Sequence, residues 1–120
     1  MSATDYDEIT RIVNLYIEGA AKGDAAMLDE AFHDSAHWFG YMHDTEYAVD
    51  KPGFIELMVS QPGDTGSLVS EIVSIEQTGS IANAVVHDTA FWGDMEFTDF
   101  FQLVNFNGTW KIVSKAFHLH

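Results

Sequence analysis

Apolar residues return every three or four positions through the first twenty residues of the chain. Tyr6, Ile9, Val13, Tyr16 and Ala20 share one helical face, which predicts a helix over 4–22. Thr4 is the expected N-cap, with Asp7 three residues on in an approximate capping box. Gly23 is the expected stop, and Asp24 then caps a short second helix through Met27, Leu28 and Ala31. From Ser35 to Tyr41 the pattern turns aromatic and extended, which predicts a strand. Asp50 followed by Lys51-Pro52 opens a third helix with proline in its first turn. Phe54, Ile55, Leu57 and Met58 give that helix its apolar side. Pro62, Gly63 and Gly66 mark 61–67 as a loop.

The second half reads as strands. Segments 68–78, 81–92, 95–106 and 109–118 are separated by Gly79-Ser80, Gly93-Asp94 and Asn107-Gly108. Asn-Gly is the strongest hairpin signal of the three, because a type I′ turn needs positive φ at both positions. Helices followed by a four-stranded antiparallel meander make an α+β domain. At 120 residues the chain has room for one domain, 1–120.

Two-residue hairpins fix register, and register fixes which side chains share a face. Folding about the connectors puts Asp88 opposite Asp99, Glu71 opposite Asp88, Trp92 opposite Met95 and Phe97 opposite His118. The expected inner face holds Val69, Glu71, Val73, Asp88, Trp92, Phe97, Asp99, Phe101, Trp110, Ser114 and His118. Small residues beside large aromatics leave room for a cavity there. Neighbouring carboxylates in an apolar setting cannot all ionise cheaply, so at least one pKa should rise. A β-bulge in any of these long strands would instead turn a carboxylate outward.

The opposite face carries Val85, His87, Phe91, Phe100, Phe106, Val113, Lys115 and Phe117. It is too apolar to face solvent, and the helices can cover only one side of the sheet. A homodimer through this outer face is the expectation, with Lys115 as a dimer-face or salt-bridge residue.

Charge narrows the function classes. With 5 basic and 19 acidic residues the net charge is −14, which disfavours phosphate backbones and anionic membrane surfaces. No nucleic acid and no membrane partner is expected. The 13% aromatic content and clear periodicity argue against disorder. Cysteine is absent, which removes thiolate chemistry and disulfides. A soluble, cytoplasmic protein is the expected setting. His33, His37 and His43, with Asp34 and Asp44 nearby, match no known metal-ligand spacing, so neither metal nor cofactor is expected.

Three stretches carry a resemblance: Tyr16-Ile-Glu-Gly-Ala-Ala-Lys-Gly-Asp24, Ala31-Phe-His-Asp-Ser-Ala36, and the long run from Phe97 to His118. Together with the element order they resemble the cone-shaped fold of nuclear transport factor 2-like proteins. That superfamily includes ketosteroid isomerases, SnoaL-like polyketide cyclases and scytalone dehydratases. The run from Phe97 to His118 is similar to the subgroup called putative lumazine-binding proteins.

The resemblance implies a pocket for a small apolar or aromatic molecule. It implies catalytic positions at Tyr16 and Asp99; the residue types on and near the expected inner face add Asp88 and His118 as catalytic candidates and Trp92, Phe97, Phe101, Trp110, Ser114 and His37 as pocket residues. Tyr16 matches the oxyanion-hole tyrosine of ketosteroid isomerases, and Asp99 the protonated acid that completes the hole. The base of that family falls at about Gly40, after Phe39, and neither can take a proton. His37, Tyr41 and His43 are the nearby substitutes. The implied activity is a cofactor-free isomerase or cyclase. Two alternatives stand beside it: a non-catalytic dimerisation or carrier module, and a dehydratase using a His/Asp pair.

Overall fold

A computed structural model describes residues 3–120, with side chains from Thr4 onward. Helix α1 (Ala3–Lys22) buries Ile9, Ile12, Val13, Tyr16 and Ala20 along one stripe. Burying each of its large aliphatic side chains contributes about 1.5–3 kcal/mol. Thr4 already lies inside this helix, so it is not the cap, and the capping position falls outside the described residues. Gly23 ends the helix at φ 68°, a left-handed conformation that favours glycine. Helix α2 (Ala25–Ala31) follows, with the Asp24 side chain accepting a hydrogen bond from Met27 N at 3.1 Å.

Strand β1 (Phe32–Met42) is longer than its aromatic centre predicts. A hairpin returns as β2 (Thr45–Asp50), which the sequence reading left unassigned although Tyr47 and Val49 alternate. Helix α3 (Lys51–Ser60) begins at Asp50, whose carboxylate caps Gly53 N at 2.9 Å. The remaining strands are β3 (Val69–Thr78), β4 (Ile81–Phe91), β5 (Met95–Phe106) and β6 (Thr109–Leu119). They form one six-stranded sheet in the order β2-β1-β6-β5-β4-β3, with only β1 and β6 parallel. The helices pack on its concave side. No helix among the described residues is long and apolar enough to cross a membrane.

One lysine ties the helices together. Lys51 is buried at the start of α3, and its Nζ donates to Asp29 O at 3.1 Å, Phe32 O at 2.9 Å and Asp34 Oδ1 at 3.0 Å. Asp29 Oδ1 lies 3.0 Å away as well. Burial alone would lower the Lys51 pKa, but the hydrogen bonds and charges of the Asp29 and Asp34 carboxylates together raise it.

Besides a register break between Phe32 and His37 on β1, three bulges among the described residues shape the sheet. Each is marked by two inward residues three apart: Ile72 and Ile75 in β3, Asp88 and Phe91 in β4, Ile112 and Lys115 in β6. A single unpaired residue reverses the side to which every later side chain points. Val73 is the unpaired residue in β3, so Val69, Glu71 and Val73 face outward, correcting their expected inner placement. Val113 is unpaired in β6, so Lys115 and Phe117 turn inward while Ser114 and His118 turn outward. The β4 bulge holds Ala90 at φ 64°, and the following turn holds Trp92 at φ 53°. The register of β4 on β5 is two residues from the expected one: Asp88 pairs with Phe97, and Val86 with Asp99. A shift of two preserves faces, so both aspartates stay inside.

Candidate functional site

The pocket opens between α1, α3 and the concave sheet; its free cavity is about 40 Å³, within about 460 Å³ of space that includes solvent at the mouth. Trp38, Phe54, Met58, Phe91 and Phe97 form its buried walls, and half-buried Met42, Tyr47, Trp92 and Phe117 ring its mouth. Trp38 and Phe54 stack with centroids 4.2 Å apart. Trp92 is held by the 61–68 loop: its backbone N donates to Gly63 O at 2.8 Å and its indole N–H to Gln61 O at 2.7 Å. Gly63 N in turn donates to Ala20 O at 2.9 Å, which anchors the loop to α1.

Polar groups meet at the closed end. Lys115 Nζ donates to the Tyr16 hydroxyl at 2.7 Å. The Tyr16 hydroxyl points to Asp99 Oδ2 at 3.5 Å, a long contact. Asp99 Oδ1 is buried without a hydrogen-bond partner, 3.7 Å from Lys115 Nζ. Asp88 lies beside this group and accepts from Ser70 Oγ at 2.5 Å. Burial pushes the Asp99 carboxyl up to about 7, with the Lys115 charge opposing and the neighbouring Asp88 reinforcing the rise. Burial, then the negative charges of Asp99 and Asp88, raise the Tyr16 phenol well above its ordinary range. Tyr16 is therefore a neutral donor at physiological pH, and Asp99 is poised between acid and base.

Of the expected site residues, the structure brings together Tyr16, Asp99, Asp88, Trp92 and Phe97. Phe101 is core instead, packed on the Tyr16 ring at 4.8 Å. Trp110 is core too, its indole N–H 3.4 Å from Asp5 Oδ1. Ser114 bonds Gln102 outside the pocket at 3.1 Å. His118 is exposed and meets the His120 ring at 4.8 Å, so it is no partner for Asp99. His37 is exposed with Nδ1 2.9 Å from Ser35 O. Tyr41 and His43 line a separate groove with His118 and His120.

Gly40 carries no base for a structural reason. A Cβ there would sit 2.5 Å from Phe117 O and 2.7 Å from its ring, so Phe117 occupies that space.

The residue that sequence reasoning put on the wrong face is Lys115, expected at a dimer face or in a salt bridge and found in the pocket, paired with Asp99. A signal for it was present: Trp110 and Ile112 fall on even numbers, whereas Lys115, Phe117 and Leu119 fall on odd ones. That change of parity in large residues marks a bulge between them.

His33, His37 and His43 go separate ways, His33 stacking on Phe106 at 4.5 Å. A different set, His87, Glu96 and His120 on the outer face, brings its ligand atoms within 4.8 Å of one another. They are already joined to one another, with His87 Nε2 at 2.9 Å from Glu96 and Thr98 Oγ1 bridging both histidines at 3.2 and 2.7 Å.

Known proteins share this architecture. A nuclear transport factor 2-like protein of unknown function from Methylobacillus flagellatus KT is 33% identical, with a TM-score of 0.89 over 100% of this chain and 95% of that one. Another, from Shewanella baltica OS155, is 28% identical, with a TM-score of 0.89 over 100% of this chain and 97% of its own. The aldolase FrzH of a Cladobotryum species is 28% identical over 98% of this chain and 94% of that protein. Residues 4–118 match the family described as Putative lumazine-binding, and the chain belongs to that family, within the nuclear transport factor 2-like superfamily.

Proposed function

We propose that the pocket binds a small, uncharged apolar carbonyl compound and moves protons next to its carbonyl without a cofactor. The single observation that carries this reading is the Lys115–Tyr16–Asp99 chain at the closed end of an otherwise apolar pocket. Tyr16 and Lys115 are donors able to stabilise an oxyanion as it forms, and Asp99 is an acid–base group matched to neutral pH. Isomerisation, cyclisation and aldol-type steps all pass through such an enolate or its equivalent. Kinship with an aldolase favours the last of these. The dehydratase alternative loses support because His118 lies outside the pocket.

A fluorescence titration with 2-naphthol at several pH values tests the site. We expect saturable binding to the wild type, with the bound phenol ionising at a shifted pH. Asp99→Asn should remove the step near pH 7. Absence of binding to the wild type would overturn the reading.

For quaternary structure, we propose a homodimer through the outer sheet face. Phe39, Ala116, Phe100 and Val85 are paired in one row across four strands, and Phe39 and Phe100 are 48% and 61% exposed. A second copy of the sheet is the cover that fits such a row. Light scattering should give twice the chain mass, and Phe100→Asp should halve it. A monomeric wild type would end this proposal.

A further inference from the structure

We propose that Lys115 is an amine nucleophile that condenses with the carbonyl carbon of a small apolar or aromatic aldehyde or ketone, giving a protonated imine in the pocket. This inference rests on the proposed carbonyl-binding role of the same pocket. It adds a covalent step.

The surroundings of Lys115 are those of a group held for reaction. Its Nζ makes one short hydrogen bond, to Tyr16, and otherwise faces aromatic rings, with centroids of Tyr16, Phe54 and Phe117 at 4.9, 5.0 and 5.6 Å. Lys51, equally buried, has four oxygen partners within 3.1 Å. Nζ of Lys115 thus has fewer oxygen partners than that of Lys51, and it lines the largely apolar pocket. Beyond Tyr16, the carboxylate oxygen Asp99 Oδ1 lies 3.7 Å from Nζ and has no hydrogen-bond partner of its own. A carboxyl whose pKa lies about 7 can take a proton from the ammonium and give it back.

The reaction balances without another reagent. Asp99 takes a proton from the Lys115 ammonium, and the freed lone pair attacks the carbonyl carbon. The C–N bond forms as the C=O π pair moves to oxygen, and a second proton passes from the nitrogen to that oxygen, giving a neutral carbinolamine. The hydroxyl then leaves as water with the proton held by Asp99, while the nitrogen lone pair closes the C=N bond. Ammonium plus carbonyl becomes iminium plus one water, with charge unchanged. Where the carbonyl compound carries an α C–H, the iminium acidifies it, and Asp99, back in its carboxylate form, would take that proton.

The lining sets the substrate class. Lys115 is the one cation among the described pocket residues, and Asp88 and Asp99 stand beside it. Phosphorylated or carboxylated substrates find no second cation there. An uncharged aldehyde with a flat apolar body suits the Trp38, Phe54 and Phe97 walls.

The test is reductive trapping with 6-methoxy-2-naphthaldehyde and cyanoborohydride, followed by peptide mass mapping. Lys22 and Lys111 are half-exposed or exposed and serve as internal controls for unselective labelling. We expect Lys115 to be modified at least about tenfold faster than either, because the pocket would hold the aldehyde beside its Nζ and the surface lysines have no such site. Lys115→Met should lose the adduct at that position. Because that variant could misfold, Asp99→Asn is measured in parallel, with folding followed by circular dichroism. A folded Asp99→Asn protein should trap at least about tenfold more slowly, while its Lys22 and Lys111 labelling stays unchanged. Labelling of Lys115 at the rate of the control lysines overturns the inference. If 2-naphthol binds and no selective adduct forms, the covalent step fails and the carbonyl-binding reading stands. If neither probe engages the pocket, both fail.

Discussion

Two lysines are buried in this molecule, and they are buried in opposite ways. Lys51 sits where α2, β1 and α3 converge and gives its protons to backbone carbonyls of Asp29 and Phe32 and to the carboxylates of Asp29 and Asp34. Lys115 sits among rings, with one hydroxyl at hydrogen-bond distance and one carboxylate slightly beyond it. A buried cation with a full set of partners fastens elements together. A buried cation with an incomplete set is costly to keep, and its persistence points to chemistry rather than to stability.

The sharpest break of this comparison is removal of each side chain. Lys51→Met should cost about 3 kcal/mol in urea unfolding, because two backbone carbonyls lose a charged donor inside the fold. Lys115→Met should cost less than about 1 kcal/mol at pH 6, since methionine fills the aromatic niche and Asp99 is then largely neutral. Equal costs would erase the distinction.

The next effect is on pH dependence. The folded-state pKa of Asp99, about 7, lies above its unfolded value of about 3.9, so the folded protein holds the extra proton between them. The associated stability is fully present below about pH 4 and is lost as pH rises through about 7. Asp99→Asn should therefore gain stability relative to wild type across that window, on the order of 2 kcal/mol in total after allowing for relaxation of the site. Denaturation curves at half-unit pH steps would show it. A constant difference across the window would contradict the raised pKa.

Smaller effects refine the picture. Tyr16→Phe removes the one short partner of Lys115 and should weaken 2-naphthol binding about tenfold, with unfolding changed by about 1 kcal/mol or less. Ser70→Ala extends the contrast to the acids. It strips Asp88 of its hydroxyl donor and should cost about 1 kcal/mol, readable as a small drop in Tm.

Much of this was legible in the residues. Asp24 and Asp50 announced α2 and α3, Asn107-Gly108 announced the last hairpin, and the family motifs pointed to Tyr16 and Asp99. Asp88 and Asp99 kept their face even though the β4–β5 register was two residues off, because an even shift leaves side-chain direction unchanged. Odd shifts were the ones that misled. The β3 bulge turned Glu71 out, and the β6 bulge exchanged Ser114 and His118 for Lys115 and Phe117. Hairpin connectors define register only near the turn, and one unpaired residue farther along resets it. The outer face lost Phe91, Lys115 and Phe117 to the pocket for the same reason, yet it kept Phe100 and gained Phe39 from β1 in the same row.

Val113 also has a meaning for inheritance. As the unpaired residue of β6, it occupies a position that ladder pairing does not use. Loss of its single codon would close the bulge and leave Ile112, Lys115 and Phe117 all on the concave side. Loss of the codon for Ala116, beyond the bulge, would send Phe117 outward and draw His118 in. Loss of the Ser114 codon instead gives the same result as loss of Val113, so this strand has two adjacent sites where a three-base deletion is silent for the pocket and, beyond them, sites where the same event replaces one chemistry with another.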